Sequence, residues 1–333
     1  MNILITGSEG YLGSHLVSYF KKKNFIVYGI DIYEKPIGNY KYFNLDISKA
    51  ENFKIIQNIK FDLVVHAAAK LAFESNNKIM NQVNIDGTKN IINYLETYNS
   101  NCKLIYISTA SIFSSNYDHK VKEDSKKKVI DNYGKTKLIS ENIIINSPLR
   151  YIILRCPIIF SIQRSGVISI VYDLINLNKK IPLLNYGNNT FDAIEINDLS
   201  DAIYLLSINE NRNVYNIGCD EILTFRDIFS HIIAKSSSRS SFINLPKINL
   251  SFIFKLLFYL KLSPLSSYHT TMLINNFKFD NSKLKEIGWM PKNNIKELFY
   301  ESYKYYILNK SIHRSVNSKS HKLGVIKILY YFL

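Results

Sequence analysis

Short runs of apolar, mostly β-branched residues alternate along this chain with longer stretches whose apolar positions recur every three or four residues. The runs occupy residues 2–6 (NILIT), 26–31 (IVYGID), 62–67 (DLVVHA), 103–108 (KLIYIS) and 151–155 (YIILR), with a later one at 214–217 (VYNI). They are continuously apolar, as strands covered on both faces of a parallel sheet are. The amphipathic stretches predict helices over 11–22, 77–98 and 133–146. Strand–helix alternation of this kind predicts an α/β fold, a doubly wound parallel sheet of the Rossmann type. After about Pro157 the pattern loosens. Segments 157–190 and 220–312 carry more aromatics, loops and prolines and read as a smaller second lobe, while 191–219 returns to complete the sheet. Residues 313–333 form a C-terminal extension with a polar, basic start and an apolar end, read as a packed terminus or partner contact.

Composition narrows the class. At 333 residues, 47% hydrophobic and 21% charged, the chain has enough apolar material for a full core without disulfides or metals. Its three cysteines, Cys102, Cys156 and Cys219, are widely spaced. They match no disulfide framework, Cys-x-x-Cys motif or zinc spacing, and point to a reducing cytoplasm with no metal. The formal charge of +15 is spread over scattered lysines. It forms no basic block and accompanies no nucleic-acid signature, so no nucleic-acid partner is expected. No run is long enough for a transmembrane segment, and MNILITG reads as a strand from its start, so no signal peptide is expected.

The first chemical signal is TGSEGYLG, between a predicted strand and a predicted helix. Gly7 permits the tight turn, Gly10 lets backbone approach a pyrophosphate, and Gly13 allows close helix–strand packing. The first amides of the helix, from Tyr11 and Leu12, would face the phosphates, aided by the helix dipole. Asp31 closes the second strand, where a carboxylate accepts hydrogen bonds from both ribose hydroxyls and repels a 2′-phosphate. The cofactor expected is NAD, with NADP less favoured, and residues 1–156 are the NAD-binding domain.

The second signal is Tyr133-Gly-Lys-Thr-Lys137. Tyrosine and lysine four apart share one helix face, and a nearby ammonium favours tyrosinate. Tyr133 would then exchange a proton with a substrate oxygen while hydride moves to or from the nicotinamide. The third signal, Ser108-Thr109-Ala110-Ser111, follows the strand KLIYIS, where a hydroxyl can orient the reacting oxygen.

With these motifs in order, the chain resembles the extended short-chain dehydrogenase/reductases, in their NAD-dependent epimerase/dehydratase branch. The likeness spans about residues 1–310 and includes NLDI at 44–47, VVHAAA at 64–69, VNIDGT at 83–88, YISTAS at 106–111, LRCPIIF at 154–160, INDLSDAI at 196–203, YNIG at 215–218 and FDNSKLKEIGWMP at 279–291. It implies that Thr109, Tyr133 and Lys137 are the catalytic set and that Lys137 also holds the nicotinamide ribose. It places Asp46 and Ile47 beside the adenine, Ala67 and Ala68 along the cofactor, and Asn84 on the following helix in the cofactor-binding set. It also implies a homodimer formed through two helices of each copy.

Departures refine this. Dehydratases of the branch carry Asp-Glu after the catalytic Thr, where this chain has Ala110-Ser111, so 4,6-dehydration is disfavoured. Nucleotide-sugar epimerases usually carry Asn at the place of Ile158 and Arg at that of Phe191, next to Asp192. Arg155, Arg164, Lys70 or Lys179 are the candidates to supply the missing charge. LRCPIIF and residues 166–187 look closer to sugar-nucleotide 4-keto reductases. The expected function is an NAD(P)-dependent epimerase or oxidoreductase acting on a sugar nucleotide, at C4. The alternative is a dehydrogenase of a steroid-like alcohol, for which Phe191, Ile158 and the apolar run 248–260 would suit an uncharged ligand. A non-catalytic cofactor-binding protein is a third reading, and such proteins typically lose the Tyr or the Lys that this chain keeps.

Overall fold

The computed structural model describes residues 1–71, 76–208, 212–246 and 275–309. The run 248–260 and the C-terminal extension lie outside the described residues. Strands β1 (Asn2–Thr6), β2 (Ile26–Asp31), β3 (Lys41–Asn44), β4 (Leu63–His66), β5 (Lys103–Thr109) and β6 (Arg150–Cys156) follow in turn, then β7 (Ile158–Phe160), β8 (Ile181–Leu184), β9 (Thr190–Phe191), β10 (Ala193–Glu195), β11 (Asn213–Asn216), β12 (Leu223–Thr224) and β13 (Phe242–Leu245). Seven of them form one parallel sheet in the order β11-β6-β5-β4-β1-β2-β3. The chain direction reverses between β1 and β4. In an open α/β sheet this switch point opens a ligand crevice beyond the carboxyl ends of the strands.

Period-two alternation explains why the strands read as continuously apolar. Ile3, Ile5, Val65, Ile105 and Leu154 pack into one cluster, and their neighbours Leu4, Val64, Leu104 and Ile153 into another on the opposite face. Helix α1 (Tyr11–Lys22) lays Leu12, Leu16, Val17 and Phe20 on the first face. The helix predicted over 77–98 is three segments: α2 (Asn77–Asn81), a π-turn at Gln82–Asp86, and α3 (Gly87–Tyr98). Helix α4 (Asn132–Asn146) begins one residue before the sequence expectation, capped by Asp131 Oδ1, which accepts from Gly134 N at 2.8 Å. Edge strand β3 was not anticipated; its half-exposed KYFN pattern is too short and too polar to stand out.

Helices α5 (Ser169–Asn176), α6 (Ile196–Ile208), α7 (Phe225–Lys235), α8 (Ser282–Glu286) and α9 (Ile295–Leu308) follow. A third cluster unites residues of α5, α7 and α9 with Phe160, Leu183 and Phe191. It forms a core apart from the sheet, built largely from stacked aromatics: Phe191 lies on Phe225 with ring centres 4.4 Å apart, and Phe160 on Phe299 at 4.3 Å. Strands β7 and β10, and β8 and β13, pair in parallel at its margin, and β9 pairs antiparallel with β12.

Candidate active site

At the switch point Gly7 and Gly13 of the loop have no room for side chains. Gly7 takes φ +69°, and a Cβ there would lie 2.8 Å from Ala68 Cα. A Cβ on Gly13 would fall 1.9 Å from the Gly7 carbonyl oxygen. Gly10 N–H donates to that same oxygen at 3.0 Å and Gly10 occupies the helix N-cap, with no side chain satisfying the first-turn amides. The first turn of α1 carries no acidic residue. This bare, electropositive cradle fits the pyrophosphate of a dinucleotide. Tyr11 opens α1 with its ring under the Arg164 guanidinium, 4.2 Å from the ring centre, and Leu12 is buried in the sheet core.

Asp31 ends β2 beside the loop, its Oδ2 accepting from Glu9 N at 3.0 Å and its Oδ1 from Ile32 N at 2.7 Å. Asp46 Oδ1 holds Ser48, and Ile47 is buried against Gly87, where a Cβ would sit 2.7 Å from Ile47 Cδ1. Ala67 and Ala68 leave β4 along the glycine loop.

Beneath them runs one hydrogen-bonded chain. Ala68 N–H donates to Thr6 Oγ1 (3.1 Å), Thr6 Oγ1 lies 2.8 Å from His66 Nδ1, His66 Nε2 lies 3.0 Å from Thr88 Oγ1, and Thr88 donates to the Asn84 carbonyl (2.6 Å). Its ends are a backbone donor and a backbone acceptor. With one proton per hydroxyl, Thr6 donates to Nδ1 and His66 carries its proton on Nε2. Burial, with the nearby Lys137 ammonium, pulls the His66 pKa down to about 3, so the ring is neutral and structural.

Asn84 sits in the π-turn, fully buried. Its Oδ1 accepts from Lys70 N (2.8 Å), and its Nδ2 donates to Lys70 O (3.1 Å) and Thr136 Oγ1 (3.0 Å). Ser140 donates to the Asn84 carbonyl at 2.7 Å. Asn84 thus fastens the segment after β4 to α4, from behind the crevice. π-turns recur at functional sites because the widened turn frees such groups, a feature that periodicity in the sequence cannot reveal.

Thr109 terminates β5. Its Oγ1 accepts from Ser111 N at 3.1 Å and lies 3.0 Å from Ser111 Oγ. Opposite it runs α4, and the glycine between Tyr133 and Lys135 governs the approach: a Cβ on Gly134 would meet the Ser111 carbonyl oxygen at 2.7 Å. Only glycine lets the helix backbone close on the 109–111 turn; Tyr133, the residue before it, is half-buried. Thr136 Oγ1 donates to the Tyr133 carbonyl at 2.8 Å. Lys137 points into the sheet edge. Its Nζ donates to the Ile107 carbonyl at 2.6 Å and lies over the Tyr106 ring at 4.0 Å. Burial lowers its pKa to about 7, against the opposing pull of Glu141 and Cys156.

One turn further on, Glu141 carries a network that the sequence reading missed. Arg155 Nε and Nη2 grip its two oxygens at 3.0 and 2.8 Å, Ser108 Oγ donates to Oε1 at 2.6 Å, and Arg155 Nη1 donates to the Glu123 carbonyl at 2.8 Å. The signal was available: Glu141 stands four residues after Lys137, on the same helix face.

Two expectations are corrected here. Arg155 is not a source of charge for a diphosphate, because it is 2% exposed and spent on Glu141. Phe191 does not suit a ligand pocket; it is 1% exposed, stacked inside the aromatic core. Its neighbour Asp192 is likewise interior, paired with Lys278 Nζ at 3.0 Å and accepting from Phe279 N at 3.0 Å. Among the described residues no group of His, Cys, Asp and Glu could hold a metal ion, and no helix is long and apolar enough to cross a membrane.

Known proteins resemble this chain in sequence and in fold. A protein of Sinorhizobium fredii described as uncharacterized protein y4nG is 27% identical over 331 residues, covering 97% of this chain and 83% of its own length. A dTDP-D-glucose 4,6-dehydratase of Dictyostelium discoideum is 28% identical over 69% of this chain and 61% of its own. A putative UDP-glucose 4-epimerase of Methanocaldococcus jannaschii is 26% identical over 69% of this chain and 81% of its own. In fold, the chain is similar to the UDP-glucose 4-epimerase of Thermotoga maritima solved with UDP-glucose (TM-score 0.74, 20% identity, 93% and 99% coverage). It is equally similar to the enzyme WbmG of Bordetella bronchiseptica solved with NAD (TM-score 0.74, 19% identity, 92% and 94% coverage). Residues 3–218 match the model of the NAD dependent epimerase/dehydratase family. That match spans well over half of the chain, which therefore belongs to the NAD dependent epimerase/dehydratase family.

Proposed function

We propose that the chain catalyses NAD-dependent epimerisation or oxidation–reduction of a sugar nucleotide at a carbinol carbon, with C4 the favoured position. The observation that carries this reading is the close approach of α4, which bears Tyr133 and Lys137, to the turn after Thr109 at Gly134. Solved relatives in fold with UDP-glucose and with NAD support the ligand classes.

NAD, when bound, supplies the hydride acceptor or, reduced, the donor. Tyr133 moves the proton at its phenolic oxygen to or from the substrate oxygen. Thr109 Oγ1 accepts from Ser111 N, and with Ser111 Oγ donating to it as well its own proton orients that oxygen. Lys137, in its charged form, favours tyrosinate. Gly7, Gly10 and Gly13, with the Tyr11 and Leu12 amides, hold the pyrophosphate; Asp31 takes the ribose hydroxyls, Asp46 and Ile47 flank the adenine, and Ala67 and Ala68 line the ring system. Asn84 acts by holding Lys70 and Thr136 in place.

Dehydration is disfavoured because Ala110 and Ser111, both buried, offer no carboxylate beside Thr109. With Arg155 committed, Lys70, Arg164 and Lys179 are left for the diphosphate. Two copies of the chain pair through α4 in this reading. The test is to supply NADH with a 4-keto sugar nucleotide and, separately, NAD with a 4-hydroxy sugar nucleotide. Stoichiometric loss of NADH marks a reductase; an isomeric product without net loss marks an epimerase; neither with any nucleotide tested, although NAD binds, overturns the sugar-nucleotide reading.

A further inference from the structure

Glu9 occupies the interior of the glycine loop, between Gly7 and Gly10, a position whose side chain the cofactor cradle does not require. Its backbone N–H is bound by Asp31 Oδ2 at 3.0 Å, so the two acidic residues share one corner at the end of β2. The Glu9 side chain turns toward the loop over 32–40. Its Oε2 accepts from Ile37 N at 2.8 Å, and its Oε1 accepts from the Tyr40 hydroxyl, which also lies 3.0 Å from Ser8 Oγ. Burial and the Glu9 carboxylate both push the Tyr40 phenol well above its ordinary value, which keeps it a neutral donor. The far side of the loop is tied by Asn44 Nδ2, which donates to the Ile32 and Tyr33 carbonyls at 2.9 and 2.7 Å.

Among the described residues neither Glu9 nor Asp31 has a lysine or arginine partner. The nearest charges of the loop itself, Glu34 and Lys35, are exposed and opposite in sign. Glu9 is half-buried, so its charge is screened less than one at the open surface.

We propose that Glu9 is a second determinant of cofactor choice: with Asp31 it builds a double-carboxylate corner, fixed by Tyr40 and Ile37 N, that rejects an adenosine 2′-phosphate and restricts the site to NAD. The proposal rests on the dinucleotide reading of the glycine loop. A 2′-hydroxyl can donate to such a corner. A 2′-phosphate brings up to two negative charges against two that no cation offsets.

Glu9 also anchors the loop, and substitutions separate the two roles. Glu9→Gln removes the charge and keeps one oxygen to accept from Ile37 N, while its amide NH2 can donate to the Tyr40 hydroxyl oxygen. Tyr40→Phe removes one of the two anchors of Glu9 and keeps both charges. NADH and NADPH are titrated separately into the full chain and each variant, followed by cofactor fluorescence at low and high salt. The affinity for NADPH relative to NADH is expected to rise about tenfold in Glu9→Gln, the scale of one charge acting across a few ångström in partly buried surroundings. In the unsubstituted protein the same ratio is expected to rise with salt, since exclusion by charge is screened. Tyr40→Phe is expected to weaken both cofactors together. A ratio that stays put in Glu9→Gln, or that rises as much in Tyr40→Phe, overturns the proposal. Failure of the unsubstituted protein to bind either cofactor would instead overturn the dinucleotide reading beneath it.

Discussion

The two halves of this molecule fix their geometry by different means. On the sheet side, backbone does the work: Gly7 against Ala68, Gly13 against the Gly7 carbonyl, Gly134 against the Ser111 carbonyl. Each contact excludes every side chain, so the glycine is visible in the sequence as a motif. In the second core, the neighbours of Phe191 are Phe225 and Phe299, and the contact is ring on ring. Many apolar residues could satisfy such a contact, and nothing in the sequence marks which aromatic faces a ligand and which faces another ring. Substitutions on the sheet side should therefore damage chemistry more than stability, and substitutions in the aromatic core the reverse.

The sharpest way to break that contrast is Tyr133→Phe. Turnover is expected to fall by roughly 10²–10⁴-fold, the usual worth of a general acid–base group, while thermal unfolding stays close to that of the parent. Steady-state rates and calorimetry on the same preparation decide it, and an unaltered rate would remove Tyr133 from the chemistry.

Arg155→Met tests the limit of that contrast on the sheet side, where β6 and α4 meet through side chains and not backbone. It strands the Glu141 carboxylate, which is fully buried, and is expected to cost about 3–5 kcal/mol in urea unfolding. An unfolding free energy like the parent's would mean that the Arg155–Glu141 grip does not form.

Lys137 gives a third handle, through pH. Its folded pKa of about 7 lies below that of an unfolded lysine. Between those two values the unfolded chain binds the extra proton, so stability from this group increases as pH rises through that window, by at most about 1.4 kcal/mol per pH unit. Below the folded pKa both states are protonated and the full burial penalty applies. Urea unfolding from neutral to alkaline pH should show the slope in the parent and lose it in Lys137→Met. An equal slope in both would mean that Lys137 is ordinarily solvated.

Phe191→Leu is expected to be the mildest, about 1–2 kcal/mol of stability with NAD affinity held, because it keeps an apolar side chain in the core and loses part of the ring's contacts and its stack on Phe225. A loss of sugar-nucleotide affinity larger than the loss of stability would put Phe191 back at a ligand surface.

Legibility in the sequence follows the same division. The central strands were readable because both faces are apolar, and α1 matches its predicted bounds, set by the glycine loop before it and Lys21–Lys22 at its end. The π-turn around Asn84 was not readable, since the residues of a widened turn look like those of an ordinary helix. Arg155 was misread for a physical reason: a charged residue at the end of a strand near the crevice looks like a ligand contact until its partner one helix away is known. Phe191 was misread because the family's charge at that position drew attention to a pocket, when burial had moved the residue into the core. Glu9 and Tyr40 went unnoticed because thirty-one positions separate them and no periodicity links them.

The chain of hydrogen bonds beneath Ala67 and Ala68 has a final consequence. Both of its termini are peptide groups that cannot exchange roles, so its direction is locked, and a doubly protonated imidazole would oblige Thr6 to surrender a bond it has no other place to make. The floor of the crevice therefore keeps one electrical state from mildly acidic conditions upward, while the neighbouring amine on α4 changes charge close to neutrality.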